Sequence, residues 1–286
     1  MTNSRAVSKP CSTPAADTRF LDRGTGRIAF DVTGTGPLII AVPGMGDLRS
    51  TFRHLAPALA AAGFRVAAMD LRGHGDSDTT FDRYDDPAAA SDILALAEHL
   101  GGPAIVIGNS MGAAAAVIAA AERPELVSGL VLMGPFVRDL PVAAWQRWMM
   151  RAAMGGPWAR RAWLGYLPTF FPTRRGDDFA AHRAAIAEAL ARPGHGRAFR
   201  ATTRTSHAPA EAVLDRVHTP VLVVMGTKDP DFPDQQAEAR MIADRLNGRA
   251  AMIPNAGHYP QSEYPELTTP VIVEFAQRVE AGRADA

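Results

Sequence analysis

Ser110 is the residue of this chain whose type and surroundings best suit covalent chemistry. It is the central residue of the motif G-N-S-M-G at residues 108–112, with a glycine two positions away on each side. An apolar, β-branched run precedes the motif at residues 103–107, and an alanine-rich run follows it at residues 113–121. This order predicts a buried strand, a sharp turn and a packed helix, which is the setting of a nucleophilic serine. The N–H of Met111, at the start of that helix, is a candidate donor to an oxyanion.

Asp229 is the first candidate for the acid that such a serine requires. A serine nucleophile needs a base, and the base needs an acidic group that orients it. After a serine turn of this type, the acid comes next along the chain and the histidine comes last. Asp229 follows the buried apolar run at residues 221–225, so it lies near the carboxyl end of a predicted strand, where catalytic groups gather. Asp231 and Asp234 are close rivals, and all three could instead be turn or helix-capping residues.

Two further positions complete the candidate site. Of the eight histidines, His258 alone follows the last predicted strand, in the glycine-containing loop P-N-A-G-H-Y at residues 254–259, and is the candidate base. Structural or surface roles are expected for the other seven. A second oxyanion donor is expected in the loop P-G-M-G at residues 43–46, because Gly44 lets the backbone approach the serine. The N–H of Met45 would then point inward beside that of Met111.

Short apolar runs alternate with helical patterns along most of the chain. The continuous hydrophobicity of most runs is typical of parallel strands covered on both faces, and the alternation predicts a doubly wound α/β sheet. The predicted strands are residues 27–32, 38–42, 65–69, 104–108, 129–133, 221–225 and 250–253. The predicted helices are residues 51–62, 87–100, 111–122, 235–246 and 264–277.

The alternation breaks at residues 139–215, which predict a helical insertion between the sixth and seventh strands of the sheet. All four tryptophans lie here, with helix-like pieces and no strand pattern. The large apolar residues of the stretch either line a pocket that faces the serine or only hold the insertion to the core. Residues 138–216 contain thirteen arginines against six acidic residues, a net charge of +7. A solvated surface explains this excess, and the sharper alternative is that one or two arginines pair with an anionic substrate group.

Composition limits the class of protein. The 286 residues carry no formal net charge and are 47% hydrophobic, which indicates a soluble globular protein and argues against nucleic-acid binding. No apolar run approaches the roughly 20 residues of a membrane helix. Residues 1–18 predict a disordered tail, which contains the single cysteine, Cys11. Because one cysteine cannot form a disulfide within the chain, a cytoplasmic location is favoured. No pair of histidines has metal-ligand spacing, and the sequence predicts neither a metal nor a cofactor.

Together these motifs resemble those of the α/β-hydrolase family. The resemblance covers nearly the whole chain from Arg19 onward and rests on the serine motif and on three others: D-L-R-G-H-G-D-S at residues 70–77, G-T-K-D at 226–229, and G-H at 257–258 followed by E-Y-P-E at 263–266. It implies an eight-stranded, mostly parallel sheet with a helical cap over Ser110, inserted after strand 6. Residues 19–138 and 216–286 would form the core, and residues 139–215 the cap. Pro43 departs from the family, which usually has histidine there, but a backbone donor at Met45 does not depend on it.

The resemblance implies a serine hydrolase that cleaves a small or medium carboxylic ester through an acyl-enzyme on Ser110. Serine at this position speaks against haloalkane dehalogenases and epoxide hydrolases, which use aspartate. A carbon–carbon bond hydrolase of the meta-cleavage-product type is the alternative among enzymes. A non-catalytic small-molecule binding protein on the same fold is the alternative from another class. The expected partner is a small-molecule substrate, anionic if cap arginines contact it, and the sequence leaves the oligomeric state open.

Overall fold

Eight strands form one sheet in the computed structural model, which describes residues 18–141 and 143–284. The strands are β1 (Arg19–Asp22), β2 (Arg27–Thr33), β3 (Leu38–Val42), β4 (Arg65–Met69), β5 (Ala104–Asn109), β6 (Val127–Met133), β7 (Val221–Gly226) and β8 (Arg249–Ile253). Their order across the sheet is β1-β2-β4-β3-β5-β6-β7-β8. Strand β2 is antiparallel to both of its neighbours, and all pairs from β4 to β8 are parallel. The predicted α/β fold with an eight-stranded, mostly parallel sheet is confirmed.

Helices connect most of the parallel strands, as the crossover between parallel neighbours requires. In chain order they are α1 (Leu55–Ala61), α2 (Asp86–His99), α3 (Met111–Glu122), α4 (Ala144–Gly155), α5 (Ala159–Tyr166), α6 (Phe179–Ala189), α7 (His195–Thr202), α8 (Ala208–Glu211), α9 (Gln235–Arg245), α10 (Pro260–Glu263) and α11 (Pro265–Ala284). Short 3-10 helices occur at Arg49–Phe52, Pro124–Leu126, Leu167–Phe170 and Leu214–Arg216.

Three elements differ from the sequence prediction. Strand β1 was not predicted, because its four residues R-F-L-D include only one that is buried and so give no apolar run. The predicted helix at residues 51–62 is a 3-10 turn, Arg49–Phe52, followed by the shorter helix α1. The predicted helix at residues 264–277 is α11, which continues to Ala284, and the one-turn helix α10 comes before it.

Apolar side chains cover both faces of the sheet and fix the position of β5 at its centre. One cluster joins α2, α3 and α9 to one face, and a second joins α1 and α11 to the other. Every residue of α3 from Met111 to Ala121 is buried. Because most of these residues are alanine or glycine, the helix can pack closely against the strands, and the turn between β5 and α3 is held in a rigid centre.

The stretch predicted as a cap forms helices α4 to α8 between β6 and β7. Its apolar cluster includes Trp163, Ile186 and Phe199 and meets Tyr259 of the core. Helix α8 contacts α2 and α3, so the end of the stretch packs on core helices. The predicted tail and Cys11 lie outside the described residues, apart from Thr18. No helix in the described chain is both long enough and apolar enough to cross a membrane.

Candidate active site

Ser110 occupies the turn between β5 and α3 with a positive φ of 55° and a ψ of −121°. Such a conformation is unusual for a residue with a Cβ and costs on the order of 1–3 kcal/mol. The turn is held by the N–H of Ser110, which donates to the carbonyl of Met133 at 2.9 Å. The Ser110 carbonyl in turn accepts from the N–H groups of Ala113 and Phe136 at 3.0 and 3.4 Å. The packed sheet therefore holds Ser110 in the strained turn that is typical of a nucleophilic serine.

Close packing around Ser110 explains the glycines beside it. A Cβ at Gly112 would lie 2.5 Å from the carbonyl oxygen of Val42, the last residue of β3. A Cβ at Gly44 would lie 2.8 Å from the Cβ of Ser110. Both distances are shorter than van der Waals contact allows, so only glycine fits at these two positions. The loop at residues 43–46 consequently lies directly against the serine.

His258 and Asp229 form a buried hydrogen-bonded pair. Nδ1 of His258 lies 2.8 Å from Oδ2 of Asp229, and both side chains are almost fully buried. Two other segments hold the backbone of His258. Its N–H donates to the carbonyl of Phe170, and its carbonyl accepts from the side-chain amide of Asn109. Because Nδ1 is bonded to Asp229, Nε2 is the ring nitrogen left to accept a proton.

The structure separates the three aspartates that were candidates for the acid. Asp229 makes the hydrogen bond to His258 and also accepts the N–H of Asp231 through Oδ1 at 3.0 Å. Asp231 has Oδ2 at 3.7 Å from Nδ1 of His258, and its Oδ1 accepts from the hydroxyl of Tyr166 at 3.2 Å. Asp234 caps α9 by accepting the N–H of Ala237 at 2.9 Å. The geometry favours Asp229 as the orienting acid.

Nearby carboxylates set the proton affinity of His258, Asp229 and Asp231 more strongly than Glu263. Burial by itself lowers the pKa of an imidazole, but the charge and hydrogen bond of Asp229, together with the charge of Asp231, raise the pKa of His258 to about 9. Burial raises the pKa of Asp231 above its ordinary value, and the neighbouring His258 opposes that rise. The site therefore stabilises an imidazolium, which is the form that His258 would take after accepting a proton from a serine.

Ser110 and His258 line the same cavity, which has a volume of about 170 Å³. Its other walls are mostly apolar and come both from the core and from the insertion between β6 and β7. They are Met45, Phe136, Met154, Trp163, Tyr166, Phe170, Thr203, Asp231 and Tyr259. Ser110 and His258 therefore share one cavity, which is smaller than the roughly 300–1,000 Å³ of a typical ligand pocket and so suits a small ligand.

The insertion supplies part of the apolar wall of the cavity, and none of its described residues in that wall is charged. Met154, Trp163 and Phe170 line the cavity. Three other aromatic residues of the insertion are more than half exposed: Trp145, Trp148 and Trp158. No arginine is among the described residues that line the cavity. The hypothesis that a cap arginine meets an anionic substrate group therefore stays a prediction.

The two predicted oxyanion donors lie beside the serine. Met111 is the first residue of α3, where a backbone N–H has no acceptor within the helix, and Met45 lines the cavity next to Ser110. In the described part of the chain, neither N–H donates to a protein acceptor. Neither group is therefore taken up by the protein, and their role as oxyanion donors stays a prediction; each donor of this kind lowers a barrier by roughly 3–4 kcal/mol in enzymes that use one.

Residues 39–270 match the sequence profile of the Alpha/beta hydrolase family. This chain belongs to that family. A pimeloyl-acyl-carrier-protein methyl ester esterase of Neisseria meningitidis is 31% identical to it over 248 residues, which are 84% of this chain and 92% of that protein. The structure of a thermophilic esterase from Thermogutta terrifontis, with malate bound, has a TM-score of 0.73 at 27% identity and covers 92% of this chain and 99% of its own. A bromoperoxidase from Bacillus anthracis has a TM-score of 0.80 over 91% of this chain and 100% of its own, and at 17% identity it shows the fold alone.

Two side chains that support the site of this α/β hydrolase, Glu263 and Tyr166, were given no individual role from the sequence. Glu263 is buried and accepts the N–H of Gly257 at 2.6 Å, which fixes the loop beside His258. Burial raises the pKa of Glu263 to about 8. The E-Y-P-E motif was a signal for this residue, whereas no local pattern indicates the hydrogen bond from Tyr166 to Asp231.

Asp229, Asp231 and His258 each bring one potential metal-ligand atom within 4.8 Å of the others. The imidazole nitrogen near both carboxylates is Nδ1, which is already bonded to Asp229 at 2.8 Å. An ion at this position would have to break that bond. In an α/β hydrolase this arrangement suits proton transfer better than metal binding.

Proposed function

We propose that this protein is a serine hydrolase that cleaves carboxylic esters through an acyl-enzyme on Ser110. One observation carries the proposal: a histidine oriented by a buried carboxylate lines the same cavity as a serine on a strained strand-to-helix turn. Chain order and family membership support it. So does the methyl ester esterase of Neisseria meningitidis, which is named for this reaction and matches most of the chain.

In the first half of the proposed reaction, Nε2 of His258 takes the hydroxyl proton of Ser110 while Oγ forms a bond to the ester carbonyl carbon. The carbonyl electron pair moves onto the oxygen, which the N–H groups of Met45 and Met111 stabilise. Asp229 keeps the ring in the required tautomer and stabilises the imidazolium. The carbon–oxygen bond to the leaving group then breaks, and His258 gives its proton to the departing alkoxide oxygen, which leaves as the alcohol.

In the second half, water repeats the sequence on the acyl-enzyme. His258 accepts a proton from water, the hydroxide adds to the acyl carbon, and the same two N–H groups hold the new oxyanion. The bond to Oγ of Ser110 breaks, and His258 returns the proton to the serine. The products are a carboxylic acid and an alcohol, with one water consumed.

The residues in the wall of the cavity limit the range of possible substrates. Phe136, Trp163 and Phe170 offer apolar surface to an acyl or alkyl chain, and the cavity of about 170 Å³ limits its length. The one described charged side chain in the wall besides His258 is the carboxylate of Asp231. We therefore expect esters with a neutral, small or medium acyl group to be better substrates than esters whose acyl group carries a carboxylate.

Labelling and turnover together test this function. A fluorophosphonate should modify the wild-type protein at Ser110, as identified by mass spectrometry of the labelled peptide, and prior incubation with a substrate ester should slow the labelling. A panel of p-nitrophenyl esters graded by acyl length should show turnover with an optimum at short or medium chains. Loss of colour from a vinylogous diketo acid, with no turnover of any ester, would favour carbon–carbon bond hydrolysis. Ligand-induced stabilisation without any turnover would favour a binding protein.

A further inference from the structure

The loop at residues 43–47, which carries the Met45 donor, is held by side chains from two directions. On the core side, Nε2 of His74 accepts the N–H of Gly46 at 3.0 Å, and Nδ1 of the same ring faces the carbonyl of Arg72 at 3.1 Å. Burial lowers the pKa of His74 to about 4, so the ring is neutral and can accept that bond. On the other side, the loop meets two residues of the insertion between β6 and β7.

Trp163 of α5 makes the first of these contacts. Its indole Nε1 donates to the carbonyl of Gly46 at 2.9 Å, and the ring is 3% exposed. Gly46 has a φ of 71°, and a Cβ there would lie 2.5 Å from Cε2 of Trp163. The indole therefore packs directly on Gly46, the residue that follows Met45. The same ring also lines the cavity beside Ser110.

His182 of α6 makes the second contact. Its Nε2 lies 2.7 Å from Oδ1 of Asp47, and its Nδ1 lies 3.2 Å from Oγ of Ser50. The side chains of His182 and Asp47 are 5% and 2% exposed. A buried carboxylate is costly without a partner, so this bond strongly favours one position of the loop. The N–H of Asp47 donates to the carbonyl of Gly44, which joins the anchored end of the loop to the residue beside Ser110.

We propose that Trp163 and His182 are positioning residues that align the N–H of Met45 with the oxyanion, so that the docked insertion completes the oxyanion hole. This inference rests on the proposed function. Trp163 holds the carbonyl of Gly46, and His182 holds the side chain of Asp47. The two contacts thus fix Gly46 and Asp47, the next two residues after Met45. Displacement of the whole insertion would release the donor loop and would also break the bond from the His258 N–H to the carbonyl of Phe170, so substitutions at single contacts are needed to separate the two effects.

Contacts elsewhere hold the insertion to the core without touching this loop. Arg53 binds Asp178, the residue before α6, through Nε at 2.6 Å and Nη2 at 2.8 Å. Arg192 binds Asp76 at 2.8 Å. The attachment of the insertion and the support of the donor loop can therefore be separated by substitution.

Four variants make that separation. Trp163→Phe keeps an aromatic ring but removes the donor to Gly46, and His182→Leu removes the partner of Asp47. His182→Gln keeps an amide donor close to the position of Nε2 and should restore most of the loss. Arg53→Gln is the matched control, because it breaks a bond of the same helix α6 to the core outside the loop. We expect kcat to fall by roughly ten- to a hundredfold for Trp163→Phe and His182→Leu, since small displacements of catalytic groups cost about that much.

The decisive measurement is the affinity for two inhibitors of the same chain length. An alkylboronic acid forms a tetrahedral, anionic adduct with a serine hydroxyl and so needs the oxyanion donors, whereas an amide analogue of the ester reports ground-state binding. His182→Leu, at a residue outside the cavity wall, should weaken boronic acid binding by the same factor as kcat/KM and leave amide binding within about twofold. Trp163→Phe also changes the cavity wall, so it should weaken binding of both inhibitors, but that of the boronic acid at least fivefold more than that of the amide. All rates are normalised to the fraction of protein that a fluorophosphonate titrates, and the melting temperature of each variant is recorded.

The outcomes are distinct. If amide and boronic acid binding weaken equally, or if Arg53→Gln loses as much activity as Trp163→Phe, these residues only stabilise the insertion and the inference is wrong. If His182→Leu does not fold, Trp163→Phe and His182→Gln still decide the question. Wild-type protein that neither hydrolyses esters nor reacts with a fluorophosphonate would instead refute the proposed function itself.

Discussion

The hydroxyl of Tyr166 donates to the carboxylate of Asp231 at 3.2 Å, and the other oxygen of that carboxylate lies 3.7 Å from Nδ1 of His258. This contact joins the end of α5 in the insertion to the loop after β7 in the core. It places a second negative charge beside the base, in addition to that of Asp229. It also leaves a carboxylate in the wall of the substrate cavity, with consequences for specificity and for pH dependence.

Asp231→Asn should change the preference between neutral and carboxylated esters. The wild-type protein should favour a neutral acyl ester over a carboxylated ester of equal length, because the carboxylate of Asp231 repels the substrate charge. Removal of that charge should raise kcat/KM for the carboxylated ester relative to the neutral one by roughly 5- to 30-fold, which is the effect of about 1–2 kcal/mol of repulsion at an effective dielectric constant near 20.

The measurement is the ratio of the two kcat/KM values at pH 8 and low salt, in wild type and variant. A wild-type preference for the carboxylated ester would contradict this expectation. It would instead support the alternative from the sequence, in which an arginine of the insertion binds an anionic group.

The pH dependence of kcat/KM should reflect the raised pKa of His258. Only the neutral imidazole can accept the proton of Ser110, so activity should rise with pH as His258 loses its proton. Because the carboxylates of Asp229 and Asp231 raise this pKa toward about 9, the midpoint should lie above the ordinary histidine value of 6.5. Asp231→Asn should move the midpoint to lower pH.

A pH–rate profile with a neutral ester that is stable up to pH 10 checks this, and NMR titration of the His258 imidazole gives the pKa directly. A midpoint at or below 6.5 that Asp231→Asn does not move would show that the carboxylates do not control the base.

Gly112→Ala should damage both stability and activity, because the new methyl group would lie 2.5 Å from the carbonyl oxygen of Val42. The backbone of β3 cannot move aside as a flexible side chain can, so helix α3 must shift away from β3. We expect the free energy of unfolding to fall by about 1–3 kcal/mol, the usual cost of overpacking a core, and kcat to fall with it.

Gly165→Ala is the control for this experiment. Gly165 lies in α5, and a Cβ there would meet no atom within 4 Å. Because alanine favours a helix more than glycine does, this variant should be neutral or more stable by up to about 1 kcal/mol. Chemical denaturation of both variants gives the comparison, and equal stabilities for the two would remove the packing explanation.

The sequence predicts the centre of this fold well because the signals there are local. An apolar run, a glycine-flanked serine and an alanine-rich run are adjacent in the chain, and the structure forms β5, the strained turn and α3 from them. Asp229 and His258 each follow an apolar strand, and the parallel pairing of β7 and β8 brings the two loops together. Strand β1 gave no such signal, because three of its four residues are exposed.

The contacts of the insertion were not predictable in the same way. Trp163 meets Gly46 across 117 positions of the chain, and Tyr166 meets Asp231 across 65. Which aromatic residue faces the cavity depends on how the helices of the insertion lie on the core, and no periodicity in the sequence encodes that. The positive charge of residues 138–216 gave no guide either, because some of its arginines bind carboxylates of the core. Arg138 pairs with Glu238, and Arg192 pairs with Asp76.

The most direct test of the central claim is the rate at which Ser110→Ala hydrolyses an activated ester, compared with the rate of wild type. The comparison requires that the variant has the melting temperature of wild type. If Ser110 forms the acyl-enzyme, kcat should fall by roughly 10⁴- to 10⁶-fold, as it does when the nucleophile of a serine hydrolase is removed. A variant that is folded and hydrolyses the ester at a rate within tenfold of wild type would contradict the account.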